Sequence, residues 1–151
     1  MKRTFALLSV FAIALCMTAA SYQYQGAEAK LIALINIERE ANGAPPLAMN
    51  WEITRLARYK SEEMRKHRLF DHESLVYGNP AQTLDRFNIS YSAVGANIAK
   101  GQETAQQVMD AWWGSPMHRA NLVNENFTSA GVGLSLDEYG IPYWTLILIA
   151  E

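Results

Sequence analysis

The stretch from Ile141 to Ala150 constrains the fold more than any other part of this chain. Its residues are apolar on both faces of an extended strand, which is typical of a strand that is covered on both sides. The segment Asp137–Gly140 before it has the composition of a hairpin loop, and Val132, Leu134 and Leu136 alternate with small residues ahead of that loop. The sequence therefore predicts a hairpin at the centre of a layered domain.

Helical periodicity precedes this hairpin. Between Ala27 and Ala41, the residues Leu31, Leu34 and Ile35 recur at the spacing of one helix face, and Asn42-Gly43 supplies a C-terminal cap. Asn50 is placed to cap a second helix that reaches to about Leu69. Its buried stripe is predicted to comprise Ile53, Leu56, Ala57 and Met64, and its solvent-exposed side Arg58, Glu62, Glu63 and Arg65.

The region from Phe70 to Gly101 is predicted to be rich in loops, with a short helix around Ala81 to Phe87. Thr104 and Gln107 have the spacing of a capping box at the start of the next helix, and Ser115-Pro116 marks a further helix start. The predicted helices precede the hairpin along the chain. This order predicts an α+β domain, an α–β–α sandwich with helices on both faces of a small, mostly antiparallel sheet.

Composition limits the function classes. The chain has 151 residues, half of them hydrophobic, which suits one domain with a sizeable core. The 13 basic and 15 acidic residues give a net charge of -2, without the basic patch or stripe that nucleic-acid binding requires. Nucleic acid is therefore not an expected partner.

The first residues are typical of a secretory signal peptide. Met1-Lys2-Arg3 supplies positive charge, and Phe5–Leu15 is an apolar run shorter than the ~20 residues of a membrane span. Cleavage is predicted after Ala20, with an alternative near Ala29, and the mature protein is expected to have no transmembrane span. Cys16 leaves open a lipoprotein anchor, although bulky Leu15 stands where a lipoprotein signal has a small residue.

The sequence therefore divides into a signal peptide over residues 1–20 and an exported domain over residues 30–151. This exported domain contains no cysteine, so its fold depends on packing without disulfides. The expected location is extracytoplasmic.

Three histidines are the first candidates for chemistry. His67 lies within the second helix and suits a structural or surface role, whereas His72 and His118 lie at a loop and at a helix start. Two histidines 46 residues apart are by spacing alone a weak signal, and spacing alone favours satisfied loop histidines without a shared role. There is no H-E-x-x-H zinc motif and no G-x-S-x-G nucleophile motif, and Gly131-Val132-Gly133 is typical of a closely packed strand.

Several segments, taken in order, resemble the CAP superfamily of SCP-like or PR-1-like domains, in its cysteine-free bacterial branch. The similarity covers about Ala29 to Ile149, and the order and spacing of the segments are more specific than any one of them. The matching segments are Leu34–Arg39, Pro46–Asn50, Phe70–His72, Val94–Ala99, Ala111-Trp112, Ser115–Leu122, Asn126–Thr128, Gly131–Gly133 and Tyr143–Thr145.

The resemblance implies an α–β–α sandwich with a central cleft that in many members holds two His and two Glu able to bind a divalent metal. By position the histidines are His72 and His118. Ala96 stands where the first glutamate would be, followed by Asn97, and the second acidic position falls at about Ser115. A degenerate site follows, which would hold a divalent metal such as zinc only weakly.

Three functional classes remain. The favoured one is a non-enzymatic extracytoplasmic binding module whose cleft takes a cell-wall glycan, a peptide or a lipid, with Tyr77, Tyr91 and Trp113 as candidate contact residues. A structural envelope protein ranks second. A metal-dependent hydrolase using His72 and His118 ranks third, because a catalytic zinc site usually has three protein ligands. The sequence thus favours a binding protein over an enzyme.

Overall fold

A computed structural model describes residues 24–151, so the predicted cleavage after Ala20 and the alternative anchor at Cys16 lie outside the described residues. Five helices and four strands follow one another in this range. They are α1 (24–41), β1 (Ala48–Met49), α2 (Trp51–His67), α3 (Pro80–Arg86), β2 (Ala93–Lys100), α4 (Ala105–Trp113), α5 (Pro116–Val123), β3 (Ser129–Leu136) and β4 (Pro142–Ala150).

The four strands form one sheet in the order β1-β3-β4-β2. The β3–β4 hairpin occupies the centre, β2 pairs antiparallel with β4, and β1 pairs parallel with β3. All nine residues of β4 are buried, as the two-sided apolar pattern predicts. The mostly antiparallel sheet is confirmed.

Helices cover both faces of this sheet. On one face, Trp144, Leu146 and Leu148 of β4 join the core that α1, α4 and α5 complete. On the other face, the alternate residues Ile147 and Ile149 pack with side chains of α2 and α3. The predicted α–β–α sandwich is therefore confirmed.

Two glycines of β3 allow α2 to lie close against the sheet. A Cβ added to Gly131 would lie 2.2 Å from the Thr54 nitrogen, and one added to Gly133 would lie 2.2 Å from the Ala57 carbonyl carbon. No real side chain tolerates such distances from backbone atoms, so both positions require glycine. The prediction of a closely packed strand is confirmed.

The helix starts agree with the capping signals. Asn50 caps α2 by accepting from the backbone N–H groups of Glu52 and Ile53, and Thr104 and Gln107 form the capping box of α4. Ser115 holds the N-cap position of α5, with Pro116 as its first residue, but its side chain makes no capping hydrogen bond.

Two expectations were wrong. The loop-rich region contains an eight-residue strand, β2, whose small residues gave no alternating apolar pattern. Glu63 is buried on α2 rather than exposed, because it pairs with buried Lys60. Arg58 is only partly exposed and pairs with the fully buried Glu28 of α1.

In the described part of the chain, no helix has both the length and the hydropathy to cross a membrane.

Candidate ligand cleft

Strand β2 is an edge of the sheet and divides the candidate site into two sides. Ala96 pairs with Ile147, whose side chain packs on the α2 face, so Ala96 points to that face. Asn97 is the next residue, points to the opposite face and is fully buried. Strand β2 thus places one predicted site residue, Ala96, on the α2 face of the sheet and the other, Asn97, on the opposite face.

Helix α5 is fixed to β2 by two asparagines. Asn97 Nδ2 donates to the backbone oxygen of His118 at 3.1 Å. Asn121 Nδ2 in turn donates to Asn97 Oδ1 at 2.9 Å and to the Ala96 oxygen at 3.3 Å. Because its amide is used in this way, Asn97 is placed to position His118 rather than to contact a ligand itself.

A second anchor holds the opposite end of α5. The Arg39 side chain is fully buried and donates to four backbone oxygens, those of Pro45, Leu122, Asn124 and Phe127, at 2.7 to 2.9 Å. Burial lowers the pKa of Arg39 from its usual value. These bonds tie α1 to the end of α5 and to the loop that follows it.

His72 lies on an exposed loop that a buried ion pair holds to α2. Lys60 Nζ donates to Glu63 Oε2 at 3.1 Å and to the backbone oxygen of Glu73. Glu63 Oε1 accepts from Ser74 Oγ at 2.8 Å and from the Leu75 N–H at 3.1 Å. The residues that follow His72 are thereby attached to the helix.

Both histidines favour the neutral form. Burial is the main cause that lowers the pKa of His72; Asp71 opposes this effect and the charge of Lys60 adds to it. Burial also lowers the pKa of His118, with a smaller contribution from the charge of His72, so the two imidazoles lie close enough to interact. Within residues 24–151 neither ring makes a hydrogen bond to the protein, which leaves their nitrogens available to a ligand.

A small apolar cavity of about 20 Å³ adjoins His72 on the α2 side of the sheet. Its lining includes Leu56, Tyr59, Pro80, Ile98 and Ile147. A volume of this size holds little more than one water molecule. The cavity can therefore accept a methyl group but not a larger side chain without movement.

The donor set does not fit a catalytic metal. Ala96 and Ser115 offer a methyl and a hydroxyl at the two positions where the family resemblance predicts glutamates. Asp71 Oδ1 accepts from the Glu73 N–H, an ordinary local turn bond. Among residues 24–151 no group of three or more His, Cys, Asp or Glu side chains is placed to hold a metal ion. Two imidazoles fall short of the three protein ligands of a catalytic zinc.

The three candidate contact aromatics are all half-buried and already engaged. Tyr77 packs against Tyr59 and Phe87, with ring centroids 5.2 Å apart in each pair. The Tyr91 hydroxyl donates to Asp85 at 3.1 Å, and Arg119 stacks on Trp113 at 4.2 Å. His67 is exposed near the end of α2, in agreement with its surface assignment.

Sequence reasoning missed Arg39 and the Lys60–Glu63 pair. A signal for the pair was present, because Leu56, Lys60, Glu63 and Met64 have the spacing i, i+4, i+7 and i+8 of a single buried stripe. Charged residues on such a stripe are buried only when they are paired. Arg39 gave no comparable signal, since its partners are backbone oxygens, most of them distant in sequence.

Fold and cleft together define a small α–β–α sandwich with two unpaired histidines at one edge of the described sheet. The profile of the CAP family, described as the cysteine-rich secretory protein family, matches residues 32–148. The chain therefore belongs to the CAP family. The matched region has no cysteine, although the family is described as cysteine-rich, so its fold uses no disulfides.

Several bacterial proteins are similar to this chain. The uncharacterised protein YkwD of Bacillus subtilis is 42% identical over 116 residues, which are 77% of this chain and 45% of YkwD. An extracellular protein containing an SCP domain from Bacillus anthracis is 28% identical, with a TM-score of 0.78 over 85% of this chain and 41% of that one. This chain thus spans less than half the length of both relatives.

The fold also matches that of an outer surface protein from Borrelia burgdorferi. The TM-score is 0.74 over 80% of this chain and 90% of that protein, at 19% identity. At such identity the match shows a common fold alone. These two bacterial structures are thus those of an extracellular protein and an outer surface protein.

Proposed function

We propose that this chain is an extracytoplasmic binding domain whose cleft, between the His72 loop and α5, takes a ligand without catalysing a reaction. The main support is the pair of neutral imidazoles that make no hydrogen bond to residues 24–151. Neutral rings without protein partners can each donate and accept one hydrogen bond toward a ligand. The similar SCP-domain protein of Bacillus anthracis is extracellular, which supports the proposed location.

The chemistry around the histidines disfavours catalysis. Within the described range, no Ser, Thr or Cys side chain hydrogen-bonds either imidazole, so the nucleophile–base contact of covalent catalysis is missing. A metal-dependent hydrolase would need a third ligand that Ala96 and Ser115 do not supply. A purely structural envelope protein does not require two neighbouring imidazoles without protein partners, so this class accounts less directly for the site.

Native mass spectrometry of the exported protein, purified from its own host, tests this proposal. We expect a retained non-covalent ligand in the unaltered protein, and its loss in the double variant His72→Ala/His118→Ala. His67→Ala is the matched control, because this exposed histidine lies on α2 outside the cleft. A ligand retained equally by the double variant would contradict the cleft assignment.

A second measurement distinguishes binding from the other two classes. Sedimentation with purified cell wall and with lipid vesicles should show binding that depends on both cleft histidines but not on added metal or chelator. Turnover that requires zinc would favour the hydrolase instead. Equal retention of the unaltered and double-variant proteins on the cell wall would favour a structural role.

A further inference from the structure

The outer edge of β2 presents main-chain groups toward the cleft. The Gly101 N–H donates to the Pro142 oxygen at 2.9 Å, which fixes the phase of the β2–β4 ladder. Since hydrogen-bonding direction alternates along an antiparallel strand, the odd-numbered residues of β2 bond to β4. The even-numbered Val94, Ala96 and Ile98 therefore direct their N–H and C=O groups away from the sheet.

Some of these outward groups are already covered. The Ala96 oxygen accepts from Asn121 Nδ2, and the Ile98 oxygen accepts from Trp112 Nε1 at 3.0 Å. The N–H and C=O of Val94 and the N–H of Ala96 make no hydrogen bond to any part of residues 24–151. Val94 and Ala96 are half-exposed, whereas Ile98 is buried. The open part of the edge is thus the three residues 94–96.

We propose that this edge binds an extended peptide, which adds a short strand beside β2 between the His72 loop and α5. The inference rests on the proposed binding function and names its ligand class. The free groups occur in the order donor, acceptor, donor at the spacing of a strand, and a peptide main chain offers the complementary order. An acyl chain has no polar groups to pair with this row, and the hydroxyl and acetamido groups of a glycan do not repeat at the spacing of a strand.

The surroundings of the edge limit the peptide to small side chains. A Cβ on Gly95 would lie 2.8 Å from the Phe127 ring, so this ring closes the α5 side of the edge. On the other side, Ala96 carries only a methyl group and the cavity beside His72 holds about 20 Å³. The peptide residue opposite Ala96 therefore fits best when it is glycine, alanine or serine.

Proline at position 96 provides a selective test. It removes the outward N–H without breaking a bond to β4, and edge strands tolerate proline at such positions. Gly95 before it is already extended, as the residue before proline prefers. Ala96→Ser is the matched control because it adds a side-chain atom and keeps the N–H.

The experiment selects displayed random heptapeptides on the unaltered protein, with depletion on Ala96→Pro, and measures the affinity of synthetic copies of the enriched sequences. We expect Ala96→Pro to weaken binding about tenfold or more and Ala96→Ser to change it little. The peptide nitrogens are then methylated one at a time. Methylation of the residue that faces Val94 should abolish binding of the peptide, and methylation of either neighbouring residue should leave its affinity unchanged. Unchanged melting temperatures establish that both variants fold.

Three outcomes would overturn the peptide proposal. They are the absence of any sequence enriched over Ala96→Pro, equal affinity for both variants, and methylation effects that do not alternate. A dimer of the unaltered protein that Ala96→Pro dissociates would assign the edge to a second copy instead. If Ala96→Pro still retains the host ligand that His72→Ala/His118→Ala loses, the binding function stands and the peptide proposal fails.

Discussion

At the residue scale, we expect Ala96 to decide how strongly this cleft binds a metal. A glutamate at this position would add both a negative charge and a ligand beside two imidazoles, whereas alanine adds neither. We expect the unaltered protein to bind zinc weakly, because two neutral histidines leave most coordination positions to water. Ala96→Glu should tighten zinc binding by about 10–100-fold, the range by which loss of a supporting partner typically weakens a metal site.

Titration calorimetry of zinc into the two proteins checks this prediction, and Ala96→Gln is the control of equal size without charge. Lower pH should weaken binding in every variant, because an imidazole must lose its proton to bind a metal. Submicromolar zinc binding by the unaltered protein, or unchanged affinity in Ala96→Glu, would show that another acid completes the site.

At the scale of the elements, the contact between α2 and β3 depends on the absence of side chains. Gly133→Ala would place a methyl group 2.2 Å from backbone atoms of Ala57 and Arg58, so the helix must move away from the sheet. Overpacking of this kind should lower the free energy of unfolding by about 1–3 kcal/mol. Gly114→Ala is the control, since the nearest atom to its added methyl group would be 3.4 Å away and its φ of -70° suits alanine.

Urea denaturation of both variants measures these differences. A loss in Gly133→Ala no greater than in Gly114→Ala would mean that α2 is not held against β3 as described.

Elements with a strong periodic pattern were predictable, and elements defined by long-range pairing were not. The helix starts at Asn50 and Thr104 follow from local capping chemistry, and β4 follows from its two apolar faces. Strand β2 lacks such a pattern because Gly95 and Ala96 are small and Asn97 is buried by its bonds to α5. Its strand conformation is determined by pairing with β4, which lies far along the chain beyond α4, α5 and β3.

The candidate site shows the same division. His72, His118 and Ala96 were located by family resemblance, and the structure brings their segments together at one sheet edge. Among the supports of these residues, burial of the Lys60–Glu63 pair could have been inferred from its place on the apolar stripe of α2, but the backbone groups that Lys60, Glu63 and Arg39 bind in other segments could not. Local sequence gives little information about such partners.

For the whole molecule, the two histidines couple stability to pH. Their pKa values are lower in the folded protein than in an unfolded chain, so the unfolded state binds more protons as the pH falls below about 6.5. The contribution of the two neutral histidines to the free energy of unfolding should therefore be fully present above this pH and decrease as the pH is lowered toward 5. Each imidazole contributes to this pH dependence because burial disfavours its charged form. The charge of His72 adds to the effect at His118.

Denaturation midpoints measured between pH 7 and 5 check this coupling. His72→Gln/His118→Gln should show a smaller loss over the same interval, whereas His67→Gln should behave as the unaltered protein does. An equal loss in all three proteins would assign the pH dependence to other groups.

Contacts within the folded domain, as well as the signal pattern, favour cleavage after Ala20. Cleavage after Ala29 would remove Glu28, whose fully buried carboxylate accepts from Arg58 Nε at 2.9 Å and from the Leu134 N–H at 3.1 Å. Arg58 would lose its carboxylate and the Leu134 N–H its acceptor, which is unfavourable for a buried polar group. Cleavage after Ala20 retains all of these contacts.

We therefore expect N-terminal sequencing of the exported protein to begin at Ser21, and a version beginning at Ser21 to melt at a higher temperature than one beginning at Lys30. Glu28→Gln in the longer version keeps the residue's size but removes its charge, so its melting temperature should fall between the two. A natural N-terminus at Lys30 would contradict the prediction, and a diacylated Cys16 in the membrane fraction would replace it with the lipoprotein alternative. Equal melting temperatures would show that the Glu28–Arg58 contact contributes nothing to the stability of the mature fold. In that case these contacts would not explain cleavage after Ala20, even if sequencing found Ser21 at the N-terminus.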